Sequence, residues 1–223
     1  MKKEKYTFED LLEIMAILRK ECPWDREQTH QSIKECAIEE AYEVAEAIDS
    51  GSPGKMADEL GDLLLQIVFH SQMGKEAGEF DIDDVANAIC TKMIRRHPHV
   101  FAQEKAETSD EVLSSWEEIK KQEKGLESKQ EILSNISRYL PALTRAYKIW
   151  DKLIKWKKTD ENLASLCQKS QELTQKIAKK EDNLENILGE LMFVNAGISR
   201  LFGISAEESL RKFLEKYIKT IEI

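Results

Sequence analysis

Apolar residues recur at intervals of three and four along almost the whole chain, and this spacing restricts its fold more than any other feature. Only 9 Gly and 4 Pro punctuate the 223 residues, and period-two alternation is nearly absent. The expectation is an all-α protein. The length suits one large domain or two small ones, and either can bury a core.

The spacing predicts a first helix over approximately Thr7 to Lys20, with Leu11, Ile14, Met15 and Leu18 on one face. A loop through Cys22, Pro23 and Trp24 follows, then a helix from about Ser32 to Asp49 with a stripe of Ile33, Ala37, Ala41, Val44 and Ile48. Ser50 to Gly54 is a turn by composition. The third helix, about Lys55 to Lys75, has a centre that is apolar on nearly every side (Leu60, Leu63, Leu64, Leu65, Ile67, Val68, Phe69). Burial all round is expected, in a bundle or at a subunit interface. Asp81 reads as the N-cap of a helix through Arg96, with Asp84 in its first turn, and Pro98 ends that helix. A polar helix from Ser109 to Gln122 carries one large anchor, Trp116.

From Glu131 the pattern starts again. Residues Ile187 to Phe193, ILGELMF, keep the phase of ELGDLLL at Glu59 to Leu65, with Gly189 in the place of Gly61. Upstream, QELTQ at Gln171 to Gln175 aligns with EEAYE at Glu39 to Glu43. Two tandem units are expected, residues 1–128 and residues 129–223, joined near Gly125 to Glu131.

The acids of the first unit fall in two groups: Glu39, Glu40 and Glu43 on one helix, Glu59 and Asp62 on the next. Charges at such spacing are ordinarily a solvated face. Here Glu59 and Asp62 interrupt the most apolar helix, and Glu40 and Glu43 border the apolar stripe. Unneutralised acids in that setting repel one another, whereas a hard divalent cation such as Mg²⁺ takes carboxylate oxygens readily. Lys92 and Arg96, four apart beside Arg95, are by themselves a basic last turn complementing a helix dipole. Next to an acidic cation site they supply the other half of a cradle for a polyphosphate. His97 and His99 read as structural or surface residues, and Trp24 and Trp116 as anchors, with base stacking open to Trp116.

A net charge of −9 argues against general affinity for nucleic acid or anionic membranes. No apolar run approaches the roughly 18 residues of a membrane span. The four cysteines have no paired spacing and no signal peptide is recognisable, so a soluble cytoplasmic protein is expected. Neither a nucleophile elbow nor a phosphate-binding glycine loop is present.

CPWDREQTH (Cys22 to His30), EEAYE, ELGDLLLQ and RRHPHVF (Arg95 to Phe101) occur in this order, and together they closely resemble the MazG family of nucleoside triphosphate pyrophosphohydrolases. The resemblance covers nearly the whole chain. It implies tandem helical units with a four-helix-bundle-like core formed on homodimerisation, and Mg²⁺ held by Glu40, Glu43, Glu59 and Asp62. It implies hydrolysis of an NTP or dNTP between the α and β phosphates, giving the monophosphate and pyrophosphate, in house-cleaning of the nucleotide pool. By position, Lys55, Lys92, Arg96, Trp116 and Lys120 are the residues expected at the nucleotide, and Glu39 is the candidate to orient or deprotonate the attacking water. Gln171, Gln175 and Ile187 depart from the acidic pattern, and Lys216 and Thr220 stand where Lys92 and Arg96 would be, so the second unit is expected to be structural. A narrow dUTP or dCTP pyrophosphatase and a non-enzymatic nucleotide-binding regulator are the alternatives.

Overall fold

The computed structural model describes residues 3–102, 105–125, 128–156 and 162–221. Every regular element among them is an α-helix. In chain order these are α1 (Phe8–Glu21), α2 (Pro23–Glu27), α3 (Lys34–Ser50), α4 (Pro53–Ala77), α5 (Ile82–Arg96) and α6 (Pro98–Phe101). There follow α7 (Ser109–Glu123), α8 (Lys129–Ser134), α9 (Ala142–Lys155), α10 (Leu163–Ala178), α11 (Leu184–Leu201) and α12 (Ala206–Ile218). No single helix among the described residues is long and apolar enough to cross a membrane. The chain divides into two compact units, Met1–Trp116 and Glu117–Ile223, with the break inside α7. Residues 126 and 127, within the expected linker, lie outside the described residues.

The helix starts follow their capping chemistry. Thr7 and Asp10 form a capping box on α1, and Asp81 and Asp84 form one on α5, as the sequence predicts for the second. One expectation changes: Pro23 and Trp24, read as loop, open the short helix α2, because proline lacks only an N–H that a first turn leaves unpaired anyway.

In the first unit Met15, Ile33, Val68, Phe69 and Met73 form the buried core, with Leu11, Leu12, Cys36 and Leu65 against it. This core joins α1 to the start of α3 and the second half of α4. Gly74 is required there, since a Cβ would stand 2.7 Å from the Phe80 ring. The first half of α4 is different. Met56, Leu60 and Leu64 are 39%, 47% and 36% exposed, so the all-round burial expected of this helix is not reached within the chain. One face of that half packs on α3, and the opposite stripe is left uncovered among the described residues.

Arg19 ties three elements of this unit together. Its guanidinium donates to the backbone carbonyls of Asp25 and Gln28, pairs with Glu76 at 2.6 Å and lies 5.7 Å from the Phe69 ring centroid. Hydrogen bonds from the Arg19 guanidinium, helped by one from Gln72 and by the Arg19 charge, hold the Glu76 carboxyl below its ordinary range.

The second unit has its own core of Trp150, Leu166, Leu173, Val194 and Ala196. The Trp150 indole donates to the Phe193 carbonyl at 2.8 Å, and a Cβ on Gly197 would lie 2.6 Å from that ring. α10 and α11 stand to this core as α3 and α4 stand to theirs. The outward stripe recurs too: Leu184, Leu188 and Met192, exposed on α11, occupy the positions of Met56, Leu60 and Leu64 when Gly189 is set on Gly61.

Replacing Arg19 by Met keeps the aliphatic stem but removes a charged donor from two carbonyls, and while Asp25's keeps the Gln28 N–H, Gln28's loses its guanidinium partner, so urea unfolding is expected to show a loss of about 2 kcal/mol. Glu76→Gln, at a solvent-exposed partner, is expected to cost clearly less in the same measurement.

Candidate metal centre

The turn at Gly51 and Ser52 returns the chain so that α3 and α4 pack side by side in opposite directions. Glu40 and Glu43 are neighbours on α3 because residues three apart share a face, and the same rule joins Glu59 to Asp62 on α4. Antiparallel packing sets the pairs opposite each other. Carboxylate oxygens of Glu40, Glu43 and Glu59 all come within 4.8 Å of one another. Asp62 is near enough for its charge to act on both Glu40 and Glu59.

The electrostatics are those of an unneutralised cluster. Burial pushes the Glu40 carboxyl above its ordinary range, and the charges of Asp62, Glu43 and Glu39 add to the shift. Glu59 is raised by burial as well, then by Glu43, Asp58, Asp62 and Glu46. Asp58 and Glu46 go beyond the acids expected from the sequence, although Glu46 lies one turn past Glu43 and extends the same acidic line. One turn beyond Asp62, Gln66 is buried, and its Oε1 has no hydrogen-bond partner among the described residues. Three convergent carboxylates in a half-buried setting, with further acids around them, fit a hard divalent cation with oxygen ligands.

Glu39 is exposed and turns toward an open groove of about 520 Å³ on α3, lined also by Ile38, Tyr42 and Glu43. A Cβ added at Gly61 would meet nothing within 4 Å, and the same holds for Gly189, so no contact inside either unit requires a glycine there. Lys55 is exposed in the first turn of α4, its backbone N–H capped by Ser52. Lys92 is half-buried. Arg96 is buried, 8% exposed, with its guanidinium 5.1 Å from the Trp116 ring centroid. His97 meets the same indole edge-on at 5.0 Å and donates from Nδ1 to the Met93 carbonyl at 2.6 Å, which gives this histidine the structural role expected. Lys120 lies on α7 beyond the break, in the second unit.

The second unit shows what the cluster becomes when its charges change. The first residues of α3 and α10, Lys34 and Leu163, correspond, and this sets Lys169 on Glu40 and Glu172 on Glu43. On α11, Ile187 replaces Glu59 and Glu190 replaces Asp62. Where Glu40 and Asp62 repel, Lys169 and Glu190 pair at 2.9 Å. Counted from these helix starts, the alignment differs by three residues from the one that sets Gln171 to Gln175 on EEAYE; a shift of three is nearly one helical turn and leaves the apolar stripe on its face, so periodicity does not separate the two registers.

The model of the MazG nucleotide pyrophosphohydrolase domain matches residues 28–101. The chain is 39% identical to a nucleoside triphosphate pyrophosphohydrolase/pyrophosphatase MazG of Thermotoga maritima, over 98% of this chain and 86% of that protein. It is 39% identical to a nucleoside triphosphate pyrophosphohydrolase of Escherichia coli, over 93% of this chain and 82% of that protein. An uncharacterized Bacillus subtilis protein, YabN, is 37% identical over 97% of this chain and 46% of its own length.

A carboxyl whose folded-state pKa is raised opposes folding once it ionises, so without metal the Glu59 penalty grows as pH rises above the ordinary glutamate range near 4.3. Metal-free Glu59→Gln is therefore expected to melt a few degrees above the parent at pH 8, with the gap closing toward pH 4.5. Differential scanning calorimetry in a chelating buffer reads both.

Proposed function

Since the chain belongs to the MazG nucleotide pyrophosphohydrolase family, we propose that its first unit hydrolyses nucleoside triphosphates, ribo or deoxy, to the monophosphate and pyrophosphate with Mg²⁺ as cofactor. The observation that carries the reading is the convergence of Glu40, Glu43 and Glu59, with Asp62 beside them, on one unneutralised spot. These four acids are the residues to hold the cation. Bound there, Mg²⁺ supplies Lewis-acid polarisation of the phosphoryl group and neutralises charge on the leaving pyrophosphate.

Glu39 extends the acid line on the open side of α3, where an attacking water can reach it. Its part is to orient that water or accept its proton. Lys92 and Lys55 contribute cationic points for the outer phosphates, and Arg96 and Trp116, which lie against each other, are assigned to the nucleotide; Lys120, in the second unit, is assigned to it by the family resemblance alone. In the second unit the Lys169–Glu190 pair and Ile187 leave no comparable set among the described residues, so its role is structural. House-cleaning of nucleotide pools in the cytoplasm belongs to the same reading, and four free cysteines are compatible with a reducing compartment.

The exposed stripes of α4 and α11 support a homodimer. A row of Met56, Leu60 and Leu64 on the back of the acid-bearing helix, repeated on α11, is the kind of surface that a second copy covers to complete a four-helix core.

In the full-length chain, Glu43→Gln or Asp62→Asn is expected to lower magnesium-dependent pyrophosphate release by roughly 100-fold or more, with circular dichroism unchanged. Half or more of the turnover remaining in both variants would assign the activity elsewhere. Leu60→Glu is expected to shift the protein toward monomer in sedimentation velocity, since it places a charge in the middle of the apolar stripe.

A further inference from the structure

Two histidines forty residues apart meet in the first unit with no part in the chemistry described so far. His30 lies in the segment between α2 and α3, and His70 on α4; their Nδ1 atoms are 2.7 Å apart. The rings are parallel to within 3° and their centroids 5.0 Å apart. That separation is as long as so short a nitrogen contact allows, so the rings lie edge to edge in one plane. The N–H of one then points along the lone pair of the other. Phe80 stacks on His30 at 6.0 Å and is itself held against Gly74.

An imidazole–imidazole hydrogen bond holds one proton between two nitrogens. One ring must carry hydrogen on Nδ1, and the other must keep Nδ1 bare with its proton on Nε2. A proton added to the bare Nδ1 leaves two donors face to face and breaks the bond. The contact also continues the antiparallel pairing of α3 and α4: Glu43 faces Glu59, Glu40 faces Asp62, and His30, just before α3, faces His70 further along α4. It thus closes the end of the helix pair opposite the carboxylates.

We infer that His30 and His70 are positioning residues, a one-proton bridge that fixes the register of α3 against α4 and so sets the spacing of the facing carboxylates, and that it opens when a second proton enters. Its bearing on the cation rests on the metal reading of Glu40, Glu43, Glu59 and Asp62; the bridge itself does not. The neighbouring charges are otherwise engaged. Arg19 on α1 pairs with Glu76 on α4, Lys34 at the start of α3 lies 3.3 Å from Glu35, and Asp81 and Asp84 cap α5. The group acting on His70 besides burial is His30, and both hold it below the ordinary histidine range. A histidine with a lowered folded-state pKa adds stability that is complete above about pH 6.5 and is lost as pH falls through its folded value.

The first test is long-range proton–nitrogen NMR of the imidazoles in the full-length protein at pH 8. One of the two rings should be the Nδ1–H tautomer and the other Nε2–H, and His70 should take up an added proton below the ordinary histidine range. Two Nε2–H rings titrating independently near pH 6.5 would overturn the bridge. The second test is magnesium affinity by calorimetry between pH 8 and pH 5.5. His70→Phe, which keeps a flat ring without the nitrogens, should bind Mg²⁺ several-fold more weakly at pH 8 and with a shallower pH dependence than the parent. His70→Asn, which offers hydrogen-bonding groups that do not titrate, should recover affinity while keeping the shallow profile. If His70→Phe does not fold, His30→Phe, at an exposed position outside the helices, takes its place. Equal affinity and equal pH profiles in parent and variants would refute the positioning role. A parent that binds no Mg²⁺ would instead refute the metal reading and leave the tautomer result standing.

Discussion

Everything distinctive about the first unit depends on holding like charges together across one helix pair. Glu40, Glu43, Glu59 and Asp62 repel, and burial makes the repulsion worse. What opposes it is apolar packing displaced along the same two helices, where Ile33, Val68, Phe69 and Met73 are buried together with Met15 of α1. The two ends of the α3–α4 pair thus have opposite tendencies, one cohesive and one repulsive. A binding site can be kept open in this way without unfolding its support, because the cost is met some turns away.

The parts of this design that lie within one helix are legible in the sequence. Spacing of three and four identifies the acids, and the Asp81–Asp84 box follows from composition and position alone. The parts that join distant segments are not. Nothing in the local pattern of Arg19 announces that it will reach the carbonyls of Asp25 and Gln28 and the carboxylate of Glu76 at once. The His30–His70 contact spans forty residues, and either histidine alone reads as an ordinary surface or core residue. Apolar spacing also does not say what covers α4. It reports that a helix is apolar on several faces, but not whether its own chain supplies enough neighbours to cover Leu60 and Leu64.

The two units compare as variants of one packing problem. Both keep a glycine at the same place in the second helix of the pair, both keep the outward apolar stripe, and both set an aromatic ring against a glycine further on, Phe80 on Gly74 and Trp150 on Gly197. They part at the acids. The framework is thus separable from the charges it carries, which is why the framework can recur where the ligand set does not.

The Lys169–Glu190 pair has a consequence for how the two halves respond to their surroundings. A lysine ammonium is a counterion tethered to the chain, present at the same effective concentration whatever the medium contains. On the function proposed above, the counterion of the first unit is instead a free divalent cation, whose occupancy follows its supply. The electrostatic state of the first unit is on that reading a variable that the environment sets, while the counterion of the second is written into the polypeptide, so that one molecule carries a responsive helix pair beside one whose counter-charge is built in.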